Sequence, residues 1–177
     1  MERLYGFSLV AGVAAIIAGC ANVNGITVKG ADDDLDDHIR ISSELYDEPY
    51  MGFPAPTDYF FQSTVDKQSG LKLYELHLAV NKDNWKRWDQ VTFNYEGETA
   101  ELPLVWRRSD MTCTDYGCTY SELGVAGIDE AMVKYIAAQP EPVTMTIGSA
   151  RVDDSLDFTV QPAEARLMLE ETQQRSL

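Results

Sequence analysis

Two cysteines that lie close together in the sequence have the most definite chemistry in this chain. Cys113 and Cys118 are separated by Thr114-Asp115-Tyr116-Gly117. A short connection containing Asp and Gly is typical of a β-hairpin, and opposed residues of antiparallel strands lie close enough for a disulfide. We therefore predict a Cys113–Cys118 disulfide that fixes one turn. The alternatives, a redox pair or half of a zinc site, need a tighter dithiol motif or further ligands.

A second group of residues could bind a ligand. All three tryptophans lie near basic residues in the middle of the chain, and an aromatic ring beside a cation can hold a glycan, a carboxylate or a partner protein. Alternatively, the tryptophans close one end of a sheet and the Lys and Arg stems cover them. A binding role requires at least one exposed tryptophan beside a basic side chain. The candidate binding patch consists of Trp85, Lys86, Arg87, Trp88, Trp106, Arg107 and Arg108.

Familiar catalytic motifs are absent from the sequence. The chain has two histidines, no Gly-x-Ser-x-Gly elbow, no phosphate-binding loop and no zinc-ligand cluster. His77 lies on the solvent side of a predicted strand, without a nucleophile motif nearby. We predict a non-catalytic protein without a cofactor or metal. The alternative is a hydrolase that uses a pair of carboxylates, whose separation the sequence cannot reveal.

An acidic run precedes the predicted globular domain. Five aspartates surround Leu35 between residues 32 and 37. Like charges repel and extend a chain, so we expect residues 20–37 to form a solvated tether. A calcium site completed by His38 is the alternative, but the run lacks the spacing of an EF-hand loop.

The N-terminal residues indicate where the protein resides. Residues 7–19 are apolar and end at Cys20. This run is short for a membrane span, and it fits the apolar region of a secretory signal. The tetrapeptide Ile17-Ala18-Gly19-Cys20 resembles the lipobox of bacterial lipoproteins. The alternatives are an ordinary secretory peptide, or an uncleaved anchor in which Cys20 is a buried thiol.

The resemblance to lipoproteins has several implications. It implies that residues 1–19 are a signal peptide that is removed, and that Cys20 is then lipidated and anchors the protein to the membrane. Two or three acyl chains hold a protein on a membrane essentially permanently. Ala21 after the cysteine resembles the pattern of lipoproteins sent to the outer membrane, which implies a location in the bacterial cell envelope facing the periplasm.

Composition restricts the partners further. The formal charge is −15, so nucleic acid and anionic lipid headgroups would repel the surface as a whole. The expected partners are the membrane, through lipidated Cys20, and an envelope protein or glycan. The chain without its signal is long enough for one domain with a substantial core.

Residue periodicity predicts a β-rich α+β domain over residues 38–177. We expect a small antiparallel sandwich or partly open barrel of about seven strands with two covering helices. A proline-rich loop over residues 46–57, followed directly by Tyr59, Phe60 and Phe61, would place its aromatic rings over the core, with a recognition surface as the alternative. Pro103 would mark an edge strand or a bulge. The predicted strands are 38–42, 72–80, 91–95, 100–106, 118–125, 143–147 and 156–160, and the predicted helices are 129–138 and one that starts at Pro162.

Overall fold

The computed structural model describes residues 25–43, 57–115 and 117–175. The signal-like segment, Cys20 and most of the aromatic loop lie outside these ranges. The elements are β1 (Thr27–Lys29), β2 (His38–Ser42), β3 (Thr57–Asp66), β4 (Lys72–Lys82), β5 (Gln90–Tyr95), β6 (Glu98–Thr114), β7 (Gly117–Gly127), α1 (Glu130–Ala138), β8 (Val143–Ser149), β9 (Asp154–Val160) and α2 (Pro162–Gln174).

The described strands form one antiparallel sheet in the order β1-β2-β3-β4-β7-β6-β5-β8-β9. The sheet is not closed, since β1 and β9 are its two ends. This architecture confirms the predicted β-rich α+β class with two helices. The strand number was wrong, because β1 and β3 were not predicted.

Strand β6 joins two parts of the sheet by changing partners along its length. Residues 98–103 pair with β5, and residues from Leu104 onward pair with β7. Pro103 is the last residue paired with β5, a position that suits a residue without a backbone N–H. The register shifts at Trp106/Arg108, so the irregularity expected at Pro103 comes slightly later. Such a strand turns the corner between two parts of one bent sheet.

The two helices cover the inner face of the sheet. Helix α2 packs on β2, β3 and α1, and its buried side chains include Met168 and Leu169. Glu164 in its first turn accepts a hydrogen bond from the Tyr59 hydroxyl on β3 at 2.8 Å. The rings of Tyr59 and Phe158 on β9 lie 6.3 Å apart, so the two parts of the sheet face each other across the core. Neither helix in the described ranges has the length and apolar character of a membrane span.

The acidic segment is folded over most of its length. Strand β1 pairs with β2, and Ile26 just before it is buried in the core. The Asp36 carboxylate accepts the His38 backbone N–H at 3.0 Å and pairs with Arg40, and both contacts lower the pKa of Asp36. The tether interpretation is therefore wrong for residues 27–37, which form a hairpin whose carboxylates cap their own backbone.

The aromatic residues after the proline-rich loop belong to a strand. Tyr59, Phe60 and Phe61 lie in β3, a strand that was not predicted from the residues after the loop. Phe61 is fully buried in the core, while Phe60 points to the outer face and stacks on His77 at 4.4 Å. Consecutive aromatic residues obscured the period of two that identifies a strand.

Candidate binding site at the loop between β4 and β5

The connection between β4 and β5 carries the first tryptophans of the candidate patch. We call residues 83–89 the tryptophan loop. It leads from one part of the sheet to the other, past the neighbouring strands β7 and β6. At its end, the Asp89 backbone N–H donates to the Gly148 carbonyl at 2.9 Å, and the Asp89 carbonyl accepts the Leu104 N–H at 2.9 Å. These bonds join the loop to β8 and to Leu104, the residue at which β6 changes its pairing partner from β5 to β7.

A buried glutamate holds the middle of the loop. Glu122 on β7 is a buried residue, and its carboxylate oxygens accept the backbone N–H groups of Lys86 and Arg87 at 3.0 Å each. A buried carboxylate is costly unless it is paired or hydrogen-bonded, and here two backbone donors satisfy it. Glu122 therefore fixes the position of the loop backbone.

A serine of another strand contacts the carbonyl groups of the same two loop residues. The Ser149 hydroxyl at the end of β8 lies 2.7 Å from the Lys86 carbonyl oxygen and 3.2 Å from that of Arg87. The Lys86 ammonium also pairs with the Asp154 carboxylate at 2.7 Å, which raises the pKa of Lys86 and lowers that of Asp154. The charge of Lys86 is thus compensated within the protein.

Arg87 has an unusual backbone conformation. Its φ of 55° lies in the left-handed region, which is uncommon for a residue other than glycine, asparagine or aspartate. Glu122 fixes its N–H and Ser149 approaches its carbonyl, so the surroundings determine this conformation. The Arg87 side chain is exposed.

The interpretation of Trp88 as a member of an exposed patch is wrong. Its relative exposure is 0%, and it belongs to the core cluster with residues of both parts of the sheet. An indole ring buries more apolar surface than any other side chain, which makes it suited to closing this end of the core. For Trp88 the alternative is therefore right: the tryptophan closes one end of the sheet.

Trp85 remains at the surface. It is 38% exposed, and its ring packs edge-on against Tyr120 of β7 with the ring centroids 4.9 Å apart. The exposed Arg87 follows two residues later on the same fixed loop. Trp85 and Arg87 are thus both exposed on one loop, two residues apart in the sequence, so the loop offers an accessible indole and an exposed cation to solvent.

The second half of the predicted patch lies elsewhere. Arg108 is opposite Leu123 in the β6–β7 ladder, whereas Glu122, which holds the tryptophan loop, is opposite Ser109. Neighbouring residues of a strand face opposite sides, so Arg108 lies on the other face of the sheet. It pairs there with Asp110 at 3.1 Å. The side chains of Trp106 and Arg107 lie outside the described part of the structure.

The predicted disulfide is confirmed. Cys113 and Cys118 are bonded, with their α-carbons 4.0 Å apart, and they are opposed in the ladder near the end of the β6–β7 hairpin. Both residues are exposed. The bridge therefore fixes one end of a hairpin outside the core.

Other titratable groups offer little for catalysis in the described part of the chain. No group of three His, Cys, Asp or Glu residues there is placed to hold a metal ion. His77 is partly buried, contacts Glu75 at 3.3 Å and stacks on Phe60. Glu122, the most buried carboxylate, is occupied by backbone donors. No sequence pattern indicated the role of Glu122, because its partners are backbone groups about 35 residues away.

Comparison with known proteins gives no relatives: the chain matches no protein-family model, no curated protein sequence and no solved structure.

Proposed function

We propose that this chain is a lipid-anchored lipoprotein of the bacterial cell envelope and a non-catalytic binding module. The membrane anchor would be Cys20, on the strength of the lipobox resemblance. The Cys113–Cys118 disulfide supports an oxidising compartment, since disulfides persist outside the cytoplasm. Placement at the outer membrane, facing the periplasm, rests on Ala21 and belongs to the same proposal.

The observation that carries the binding role is the fixed display of Trp85 and Arg87. Four hydrogen-bonding or ionic contacts hold the tryptophan loop before any ligand arrives, so binding costs little loop ordering. The partly exposed indole suits the apolar face of a sugar ring or an apolar side chain, and the guanidinium suits a carboxylate. We therefore propose an envelope glycan or an envelope protein as the ligand.

The test compares variants that keep the loop backbone intact. Trp85→Ala removes the indole, and Arg87→Gly removes the cation while glycine accepts the positive φ at no steric cost. An aromatic or cation contact contributes about 0.5 to 2 kcal/mol, so each variant should weaken binding about 2- to 30-fold. Arg151→Ala, at another exposed arginine, is the matched control.

Two assays separate the possible ligands. Co-sedimentation with purified cell-wall glycan tests the glycan, and a photo-crosslinking amino acid at position 83, beside Trp85, captures a protein neighbour in living cells. Loss of either signal in Trp85→Ala and Arg87→Gly, but not in Arg151→Ala, supports the proposal. Unchanged signals in both patch variants would contradict it and leave a structural role without a ligand.

A further inference from the structure

The face of the sheet on which the tryptophan loop lies continues beyond the loop. Glu122 holds the loop, and Tyr120, two residues earlier on β7, lies on the same face. The Trp85 ring packs edge-on against the Tyr120 ring. Met111 on β6 is directly opposite Tyr120 in the ladder, so its side chain lies on this face as well. We call Trp85, Tyr120 and Met111 together the aromatic corner.

All three side chains of the aromatic corner reach solvent. Trp85 is 38% exposed and Met111 is 50% exposed, while Tyr120 is partly buried. A single exposed apolar side chain is ordinary on a protein surface, whereas adjoining ones indicate a contact surface. The aromatic corner therefore extends the candidate site from the loop to the β6–β7 hairpin.

The geometry and composition of the aromatic corner favour a protein ligand over a glycan. The Trp85 and Tyr120 rings are inclined at 75°, so they enclose an angle and do not form a flat platform for successive sugar rings. Met111 adds a flexible, polarizable thioether, which adapts to side chains of different shapes. Trp, Tyr, Met and Arg are the residue types enriched at protein interfaces. The corner thus suits one apolar side chain of a partner protein.

The charges around the aromatic corner compensate one another. Lys82 of β4 is opposite Tyr120, and its charge contributes to the lowered pKa of Asp154. Lys86 pairs with Asp154 at 2.7 Å, and the charge of Asp83 also helps to raise the pKa of Lys86. A strongly acidic partner would be repelled by the rest of a chain that carries −15, and a strongly basic one would find these carboxylates already paired. An apolar segment without a run of charges therefore suits this surface.

The disulfide fixes the outer side of the aromatic corner. Cys113 and Cys118 lie two residues beyond Met111 and Tyr120 on the same two strands, so they share the same face. On the other side, β4 pairs with β7 as far as Tyr120. Met111 and Tyr120 are thus held opposite each other before a partner arrives, which lowers the ordering cost of binding.

We propose that the ligand of this site is another envelope protein, and that an apolar side chain of an uncharged segment of that protein packs into the aromatic corner. This inference rests on the proposed binding function, to which it adds the class of ligand and a further specificity-determining residue, Met111. Met111 could not be assigned to the patch from the sequence, because only the register of the β6–β7 ladder places it opposite Tyr120.

Photo-crosslinking in living cells tests which face of the hairpin meets the partner. Ser109 and Thr112 are both exposed on β6, but Ser109 lies on the face of Met111 and Thr112 lies on the other face. A photo-crosslinking amino acid at position 109 should capture a protein that mass spectrometry identifies, and the same amino acid at position 112 should not. Equal capture from the two positions would overturn the proposal without any substitution in the corner itself.

Substitutions at Met111 test the corner directly. Met111→Glu places a charge where the apolar side chain packs, so crosslinking from position 109 should fall about tenfold, as expected for a central interface residue. Met111→Leu keeps an apolar side chain of similar size and should retain most of the signal. Val105→Glu is the matched control, since Val105 is 58% exposed on the same strand but lies on the other face, opposite Val125. Thermal denaturation checks that each variant is folded.

The outcomes separate this inference from the proposed function. Loss of capture in Trp85→Ala but not in Met111→Glu would overturn the inference and leave the binding function standing. Trp85-dependent co-sedimentation with cell-wall glycan, without protein captured from position 109, would have the same meaning. A crosslinked product that contains only two copies of this chain would overturn the proposed partner in favour of self-association. Unchanged capture in both Trp85→Ala and Met111→Glu would contradict the inference and the proposed function together.

Discussion

The carboxylate of Glu122 on β7 accepts the backbone N–H of Arg87 at 3.0 Å, so a buried acid holds the residue that presents a cation to solvent. This contact links the core of the sheet to the candidate binding surface. It acts on the backbone, so a residue that accepts the positive φ at position 87, such as glycine, can replace Arg87 without loss of this contact. The side chains proposed to bind a ligand are therefore different from the groups that fix the loop backbone.

The first prediction concerns this link. Glu122→Gln replaces one carboxylate oxygen by an amide group that cannot accept a hydrogen bond, so one buried loop N–H loses its partner. We expect the free energy of unfolding to fall by about 2 kcal/mol. Urea denaturation followed by tryptophan fluorescence measures the change. Glu101→Gln, at an exposed position of β6, should change it by less than about 0.5 kcal/mol. Equal effects of the two variants would contradict a special role for Glu122.

The second prediction distinguishes two tryptophans on the same loop. Trp88→Ala leaves a cavity in the core and should destabilise the fold by about 3 to 5 kcal/mol. Trp85→Ala removes a side chain that is partly at the surface and should cost about 1 kcal/mol or less. Denaturant titrations of both variants give the comparison, and a larger loss for Trp85→Ala would show that the burial of these residues is misassigned.

The third prediction concerns pH. Burial, followed by the charge of Glu130, raises the pKa of the Tyr74 hydroxyl to about 12. A tyrosine that loses its proton later in the folded state than in the unfolded state stabilises the fold fully below about pH 10, and this contribution is lost as pH rises towards 12. Tyr74→Phe removes the group that titrates.

Two measurements follow for Tyr74→Phe. Absorbance titration of tyrosinate should lose one step near pH 12, and the free energy of unfolding should fall less steeply above pH 10 than in the wild type. Tyr120→Phe, which keeps Tyr74, serves as the control. An unchanged high-pH step in Tyr74→Phe would show that another tyrosine carries it.

The fourth prediction concerns the disulfide. The bridge closes a short loop at an exposed hairpin, so the double variant Cys113→Ser/Cys118→Ser should lose about 2 kcal/mol at most. Amide hydrogen exchange should accelerate near the end of the β6–β7 hairpin while core amides of β4 keep their protection. Global unfolding of the variant would mean that the bridge determines the fold, contrary to its location.

Much of the fold could be predicted because the relevant signals are local. Pro162 at the first turn and the stripe with Met168 and Leu169 predict α2, and alternation over residues 72–80 predicts β4. The features that were not predicted, strand β1 and the bend of β6, depend on residues that are distant in the sequence. Strand β1 is short and forms only against β2, and the bend of β6 depends on which neighbour each half meets.

The candidate site was only partly predictable for the same reason. The sequence brings the tryptophans near basic residues, but alternation along β6 and β7 places Arg108 on the face opposite Glu122. Burial of Trp88 but not Trp85 depends on how the loop passes over the end of the core. The role of Glu122 was missed because a hydrogen bond between a side chain and a distant backbone N–H leaves no pattern in the sequence.

The central claim, that this is a lipid-anchored envelope protein, is tested most directly by metabolic labelling of cells with a fatty-acid analogue. The account predicts label on the wild-type chain, in the membrane fraction, and loss of label in Cys20→Ala, which should appear as unprocessed precursor or soluble protein. Cys113→Ser/Cys118→Ser should keep the label, because those cysteines are not the site of lipidation. Label retained in Cys20→Ala, or a wild-type chain that is never labelled, would contradict the account.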